Sequence, residues 1–213
     1  MSDEPKKKSS NYDPSRRKFL KGVGVAGAGA ALTDSLLSHD VITAKPKTDA
    51  SGTPVSGNLD VSLDINGQKR TATVEPRTTL LSTMRDRLEP GITGPKLVCD
   101  MGTCGACTVI MDGKPVYSCL VLAVEAVGRK LTTVEGLGTP ENMNEVQKAF
   151  VEKDALMCGF CTPGFVTTVS AYLKQNSHPT LEEVREACKG NFCRCGTYPR
   201  VFEAALAAAK AGA

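Results

Sequence analysis

Nine cysteines and only two histidines are the most distinctive side chains of this 213-residue chain that could take part in chemistry. An odd number of cysteines leaves one thiol over in any simple disulfide framework. Thiolates also bind metal ions and iron–sulfur clusters, and they take part in redox reactions. The spacing of the cysteines must therefore decide between a disulfide scaffold, a metal site and a redox centre.

The first four cysteines have the spacing C-x4-C-x2-C with a distant fourth member. They are Cys99, Cys104, Cys107 and Cys119. This is the spacing of plant-type ferredoxins, which hold a [2Fe–2S] cluster. Three thiolates on one tight loop can all point inward only if the backbone curls around the cluster, and Gly102 and Gly105 permit the φ angles that this needs. We therefore predict a first [2Fe–2S] site here, with backbone N–H groups of the loop donating to the sulfurs.

A second set reads C-x2-C, then a pair of helices, then C-x-C. Its members are Cys158, Cys161, Cys193 and Cys195. The C-x2-C pair precedes Thr162-Pro163, which is typical of a helix start, where the helix dipole favours a thiolate. A C-x-C pair cannot place both thiolates on one helix face, so we expect it in a tight turn at Gly196. We predict a second cluster at these four residues and a buried packing role for Cys188, with the alternative that Cys188 replaces one of the four.

Structural zinc and a disulfide scaffold are the alternatives to two clusters. Zinc ribbons usually need two C-x2-C pairs close together in sequence, whereas the pairs that begin at Cys104 and Cys158 lie in different predicted domains. Closely spaced C-x2-C and C-x-C pairs also bridge poorly as structural disulfides. The two-cluster interpretation is therefore favoured.

The first 44 residues are typical of an export signal. Residues 15–21 read SRRKFLK, and residues 22–32 are uncharged and only weakly apolar. That run is shorter than the ~20 apolar residues of a membrane span. The pattern resembles a twin-arginine signal, and we predict a signal peptide over residues 1–44 with cleavage after Ala44, a flexible linker over residues 45–57, and a periplasmic protein. The alternative is a chance Arg-Arg pair in a disordered basic tail.

The export signal and the cysteines support each other. Iron–sulfur clusters are assembled in a reducing compartment, whereas the periplasm oxidises exposed thiols. The twin-arginine route carries proteins that are already folded, as a protein with a cysteine-bound cofactor requires.

Other functions are disfavoured by charge and by the placement of motifs. The net charge of +3 comes mainly from the leader, so no basic face remains for nucleic acid. Residues 22–27 fit the dinucleotide pattern G-x-G-x-x-G, but a basic segment and not a strand precedes them. His39 lies in the leader and His178 beside Pro179 in a predicted loop. We therefore predict no catalytic residue in this chain.

The chain after the linker predicts an α+β fold in two domains. Over residues 58–138, alternating apolar residues predict strands at 59–65 and 68–74, joined by an Asn66-Gly67 turn. Thr78 is expected to cap a helix through Leu88, and strands are expected at 108–111 and 115–119. Over residues 139–213 the signals are helical, with predicted starts at Thr139-Pro140, Thr162-Pro163, the Thr180 capping box and Pro199, which gives at most four helices.

Three segments together resemble the small iron–sulfur subunit of the xanthine oxidase family of molybdenum hydroxylases. They are CDMGTCGACT at 99–108, CGFCTPG at 158–164 and NFCRCGTY at 191–198. The resemblance covers residues 58–212. Together with the export signal, it is nearest to the iron–sulfur subunits of periplasmic aldehyde oxidoreductases.

The resemblance implies a β-grasp ferredoxin-like domain and an all-helical four-helix [2Fe–2S] domain. It implies that the first cluster faces a flavin or other acceptor and that the second lies beside molybdopterin, with molybdopterin and FAD in partner subunits of a heterotrimer. It also implies that Cys195 touches the pterin. The family often has glutamine where this chain has Met157, and a thioether cannot donate the same hydrogen bond.

By the same resemblance, the chain passes electrons from a large molybdenum subunit, which oxidises an aldehyde with water, to a flavin subunit or a cytochrome. The alternatives are another substrate, such as a purine, nicotinate or carbon monoxide, and a free-standing two-cluster carrier. A soluble ferredoxin does not need the second domain, which disfavours the free carrier.

Overall fold

The computed structural model describes residues 56–212. The predicted signal peptide, its cleavage after Ala44 and nearly all of the predicted linker lie outside the described residues. Val55–Ala213 form one unit by their contacts. Among residues 56–212 no helix has the length and apolar character that crossing a bilayer requires.

Two hairpins supply four strands of a mixed sheet. The first joins β1 (Leu59–Ile65) and β2 (Gln68–Val74) as predicted, and Ile65 pairs with Gln68 across the turn. Both turn residues have positive φ, as an Asn-Gly hairpin requires. The second joins β3 (Thr108–Met111) and β4 (Lys114–Tyr117), so β4 begins one residue earlier and ends two residues earlier than the predicted 115–119.

A short fifth strand, which the sequence analysis missed, connects the two hairpins. β5 (Lys130–Thr132) lies parallel to β1 and antiparallel to β3, which gives the order β2-β1-β5-β3-β4. Three residues with one buried leucine carry too little periodicity to be recognised as a strand. Without β5 the two hairpins would not form a single sheet.

A short helix covers one face of the sheet. It consists of one α-helical turn, α1 (Leu80–Ser82), that continues as a π-helix over Thr83–Arg87. The predicted cap at Thr78 is wrong by one residue, because the Thr78 hydroxyl accepts from the Glu75 N–H at 3.1 Å. Thr79 caps the helix instead by accepting from the Ser82 N–H.

The alternation predicted for β1 defines the core of this half. Val61, Leu63 and Ile65 are 4% exposed or less and pack with leucine and methionine side chains of the helix, whereas Leu59 at the start of the strand is partly buried. This buried apolar surface stabilises the layer from which the first cysteine loop extends.

Four α-helices complete the described chain after residue 139, as predicted. They are α2 (Glu145–Glu152), α3 (Thr162–Leu173), α4 (Leu181–Cys188) and α5 (Tyr198–Ala211). The predicted start at Thr139 is wrong, because Thr139 and Asn142 hydrogen-bond to each other in a tight turn. Helix α2 begins after Asn144, whose side chain accepts from the Gln147 N–H at 2.8 Å.

The other predicted helix starts are nearly correct. Thr180 forms the predicted capping box with Glu183. Helix α3 includes Thr162, with Cys161 in the capping position, so the Thr162 hydroxyl does not cap it and has no hydrogen-bond partner among the described residues. The helices bury a separate apolar core that includes Phe150 and Phe165.

Candidate metal centres

The first four cysteines come together where the loop after the π-helix meets strands β3 and β4. Cys107 and Cys119 are buried, and their sulfur atoms lie 3.4 Å apart. Cys99 and Cys104 form a second contacting pair nearer the surface. The loop thus presents an inner pair and an outer pair of thiols.

Neighbouring groups shift the pKa values of these thiols in opposite directions. Burial raises the pKa of Cys99, but hydrogen bonds from the Thr103 hydroxyl and from backbone N–H groups outweigh burial and lower it to about 6. Burial raises the pKa of Cys107 to about 12, and the adjacent Cys119 thiol adds to the effect. Cys99 of the outer pair is therefore surrounded by donors that stabilise negative charge on its sulfur.

The predicted glycines give this loop its curvature. Gly102 and Gly105 have φ angles of 74° and 66°, in the left-handed region that favours glycine. Gly105 has a further constraint, because an added Cβ would collide with the carbonyl oxygen of Gly190 and with Asn191. The backbone of Gly105 is therefore in close contact with the chain that leads to the second cysteine set.

The second four cysteines also form two contacting pairs. Cys161 and Cys193 are the more buried pair, whereas Cys158 and Cys195 are exposed. Burial raises the pKa of Cys193, but hydrogen bonds from the Thr197 hydroxyl and backbone outweigh it and lower the pKa to about 7. The Cys193 sulfur and the Thr197 hydroxyl are 3.2 Å apart.

Cys188 stands apart from both sets. It is 2% exposed at the end of α4 and belongs to the apolar core of the helices. Burial alone raises its pKa to about 12, with no contribution from another thiol. This environment matches the packing role expected for Cys188.

The two cysteine sets fit [2Fe–2S] clusters in both donor chemistry and arrangement. A [2Fe–2S] cluster takes four cysteine thiolates, two on each iron. Each set supplies two sulfur pairs, which is the grouping that two bridged irons require. Among residues 56–212 no three candidate ligands converge as they would on a single ion.

The two predicted pterin-contacting residues lie at the same surface cavity. Met157 and Cys195 line a pocket of about 360 Å³ together with Thr197 and Arg200. The Met157 side chain is 70% exposed, and Cys195 is exposed as well. The thiol of Cys195, a member of the second set, is therefore accessible from this pocket.

Three hydrogen bonds join residues 190–192, just before Cys193, to the first cysteine loop and to strand β4. The Phe192 N–H donates to the Cys104 carbonyl oxygen at 2.9 Å, and the Asn191 side-chain amide donates to the Gly105 carbonyl oxygen at 3.0 Å. The Tyr117 hydroxyl donates to the Gly190 carbonyl oxygen at 3.0 Å. No sequence pattern predicted these roles, and the only local signal is the position of Asn191 two residues before Cys193.

Comparisons with known proteins agree with this arrangement. Residues 63–132 match the family described as "2Fe-2S iron-sulfur cluster binding domain", and residues 133–206 match the "[2Fe-2S] binding domain" family. The chain therefore contains two [2Fe–2S]-binding domains, called below the ferredoxin-type domain and the helical domain. This confirms the two predicted [2Fe–2S] clusters and the α+β fold class.

The N-terminal segment matches a third family. Residues 13–33 match the twin-arginine translocation pathway signal sequence. The chain therefore carries an export signal of that pathway, which confirms the predicted periplasmic localisation.

Two curated relatives and one solved structure resemble most of the chain. The aldehyde oxidoreductase iron-sulfur-binding subunit PaoA of Escherichia coli K12 is 36% identical, over 89% of this chain and 85% of the relative. The nicotine 6-hydroxylase small subunit of Paenarthrobacter nicotinovorans is 44% identical, over 71% of this chain and 90% of the relative. Quinoline 2-oxidoreductase from Pseudomonas putida 86 superimposes with a TM-score of 0.69 at 43% identity, over 73% of this chain and 96% of that chain.

The two curated relatives are an iron–sulfur-binding subunit and a small subunit of oxidoreductases, and all three matches cover at least 71% of this chain. The predicted resemblance is thereby confirmed. The chain belongs to the family of small iron–sulfur subunits of the molybdenum hydroxylases.

Proposed function

We propose that each cysteine set holds one [2Fe–2S] cluster as the sequence predicts. The ligands would be Cys99, Cys104, Cys107 and Cys119 in the ferredoxin-type domain, and Cys158, Cys161, Cys193 and Cys195 in the helical domain. The observation that carries the proposal is that these eight thiols meet as contacting pairs while Cys188 is isolated.

The domain boundaries are part of the same proposal. They are a signal peptide at 1–44, a linker at 45–57, a ferredoxin-type domain at 58–138 and a helical domain at 139–213. The family matches meet at residue 133, and the turn between Thr139 and Asn142 lies shortly after that point. We retain residue 139 because it opens this turn, after which α2 begins.

In the proposed role, this chain conducts electrons for a large molybdenum subunit that does the substrate chemistry. The bound clusters supply reversible one-electron redox chemistry. The chain's own residues hold the clusters in line and surround the sulfurs with donors such as Thr103 and Thr197. The exposed Cys158 and Cys195 mark the side from which electrons enter, next to the pocket with Met157, and the electrons leave the chain from the ferredoxin-type domain.

We propose an aldehyde as the substrate of the complex. The match to PaoA spans 89% of the chain, which is more than residues 56–212 contain, so it extends into the N-terminal segment with the export signal. A heteroaromatic substrate is the second candidate, because the nicotine 6-hydroxylase small subunit is 44% identical over 71% of this chain, a higher identity over a shorter match. We propose a flavin subunit as the acceptor, with a cytochrome as the alternative.

Expression of the complex from its native promoter, followed by purification without oxygen, tests this function. We expect the chain to elute with a molybdenum-containing large subunit and a flavin subunit, and the complex to oxidise aldehydes faster than nicotinate. Faster turnover of nicotinate or a purine would replace the aldehyde proposal. Elution at the mass of the chain alone, without molybdenum, would contradict the subunit role and support a free carrier.

A further inference from the structure

A short loop before Cys193 connects the two domains near the cysteines. This bridging loop, residues 189–193, leaves α4 and ends at Cys193. Its backbone or side chains bond three times to the ferredoxin-type domain, through Gly190, Asn191 and Phe192. The loop therefore fixes how the Cys193 region lies against the Cys104 region.

Asn191 is the buried centre of the bridging loop. It is 5% exposed, and its side-chain amide donates to the Gly105 carbonyl oxygen at 3.0 Å. Its side-chain oxygen accepts from the Thr168 hydroxyl at 2.9 Å. One amide thus joins the loop between Cys104 and Cys107 to helix α3. The amide nitrogen and the amide oxygen of Asn191 thus both have hydrogen-bond partners away from solvent, where loss of a partner is most destabilising.

Two glycines make room for this amide. A Cβ added to Gly105 would collide with Asn191, and one added to Gly164 would lie 3.2 Å from the Asn191 amide nitrogen and 2.5 Å from the Gly105 carbonyl oxygen. The backbones of the first cysteine loop, α3 and the bridging loop therefore approach each other closely at Gly105 and Gly164, and Asn191 fills the space between them.

The hydrogen bond next to Asn191 provides a bonded route between the two sets of proposed ligands. The Phe192 N–H donates to the Cys104 carbonyl oxygen at 2.9 Å, and Phe192 is covalently joined to Cys193. Electronic coupling decays less steeply along covalent and hydrogen bonds than across a gap. The route exists only while the bridging loop keeps its position against Cys104.

We propose that Asn191 is a positioning residue for electron transfer between the two domains: its buried amide locks the bridging loop against the first cysteine loop and so preserves the Phe192–Cys104 hydrogen bond. The inference rests on the proposed ligand sets. In the step that it serves, the helical-domain site loses one electron and the ferredoxin-type site gains it, and no bond forms or breaks. The electron comes from substrate oxidised in the partner subunit.

The test uses variants of the purified complex. Asn191→Leu removes both side-chain hydrogen bonds at similar size, and Thr168→Val removes only the hydroxyl donor. Thr168→Ser keeps that donor and should behave like the wild type. Thr167→Val is the matched control, because Thr167 is also buried on the same helix but its hydroxyl donates to the Pro163 carbonyl oxygen within α3.

Two readouts go beyond overall activity. Relaxation enhancement in electron paramagnetic resonance measures the distance between the two reduced clusters, and flash photoreduction measures how fast one electron redistributes between them. We expect Asn191→Leu to broaden the distance distribution and slow redistribution, and Thr168→Val to do both to a smaller extent. Thr168→Ser and Thr167→Val should leave both readouts unchanged, with iron content equal throughout.

The possible failures are distinguishable. Fewer than two clusters in the wild type would contradict the proposed ligand sets. Two clusters with unchanged distance and redistribution in Asn191→Leu and Thr168→Val would overturn the role of Asn191 alone. If the complex with Asn191→Leu does not assemble, the two readouts are compared between Thr168→Val and the wild type. Loss of a cluster in both variants would assign Asn191 to assembly and would also overturn the proposal.

Discussion

The backbone N–H of Phe192 lies 2.9 Å from the carbonyl oxygen of Cys104 and donates a hydrogen bond to it. Cys104 belongs to the first cysteine set, and Phe192 precedes Cys193 of the second. A redox protein with two centres needs a fixed geometry between them, and this bond joins the two cysteine loops through the backbone alone. Side-chain substitutions can alter the bond only by moving the loops.

Gly105 should tolerate a side chain much less well than another glycine of the same conformation. An L-residue in the left-handed region is destabilised by roughly 1–2 kcal/mol. Gly105→Ala adds a collision with the bridging loop, whereas Gly113, at φ 81°, has open space around an added Cβ. We expect Gly113→Ala to keep both clusters and Gly105→Ala to lose the ferredoxin-type cluster, as measured by iron per chain. Equal iron in both variants would show that the close approach does not constrain the loop.

Tyr117→Phe should weaken the attachment of the bridging loop. Burial raises the pKa of the Tyr117 phenol, so its hydroxyl remains a donor to the Gly190 carbonyl oxygen. Loss of such a bond typically destabilises a protein by about 1 kcal/mol, and for a protein of this size that lowers the unfolding temperature by roughly 2–4 °C.

A second tyrosine provides the control for that measurement. The Tyr172 hydroxyl accepts from the Asn176 amide four residues later, so this bond is local to the helical domain and does not join the two domains. Tyr172→Phe should therefore shift the unfolding temperature of the holoprotein less than Tyr117→Phe does. A larger shift from Tyr172→Phe would contradict the importance of the bond between the domains.

Met157→Gln should leave both clusters intact. The Met157 side chain is 70% exposed and lines the surface pocket beside Cys195. Its neighbour Cys158 is a proposed ligand, so Cys158→Ser should lose the helical-domain cluster while Met157→Gln retains it. Iron analysis and electron paramagnetic resonance of the two variants make the comparison. Cluster loss in Met157→Gln would mean that this position does more than face the pterin.

Local spacing was sufficient to predict the cysteine sets and most of the elements that carry them. The alternation in β1, the Asn66-Gly67 turn and the Thr180 capping box each depend on residues a few positions apart, and each is present in the structure. The pattern of thiols also separated Cys188 from the others, and its burial agrees with that prediction.

The errors and omissions arise where distant residues decide the structure. Thr139 has the sequence of a helix cap, but its bonds to Asn142 make a turn, and the helix starts after Asn144. The contact between Asn191 and Gly105 joins residues 86 positions apart, and no local pattern encodes it. Strand β5 is recognisable only from its pairing with β1 and β3.

The most direct test of the central claim is the electron paramagnetic resonance spectrum of the reduced, anaerobically prepared complex, recorded for three cysteine variants. The account predicts two distinct [2Fe–2S] signals in the wild type, loss of only one in Cys104→Ser, loss of only the other in Cys193→Ser, and both signals in Cys188→Ser. Loss of a signal in Cys188→Ser, or retention of both in Cys104→Ser or Cys193→Ser, would contradict it.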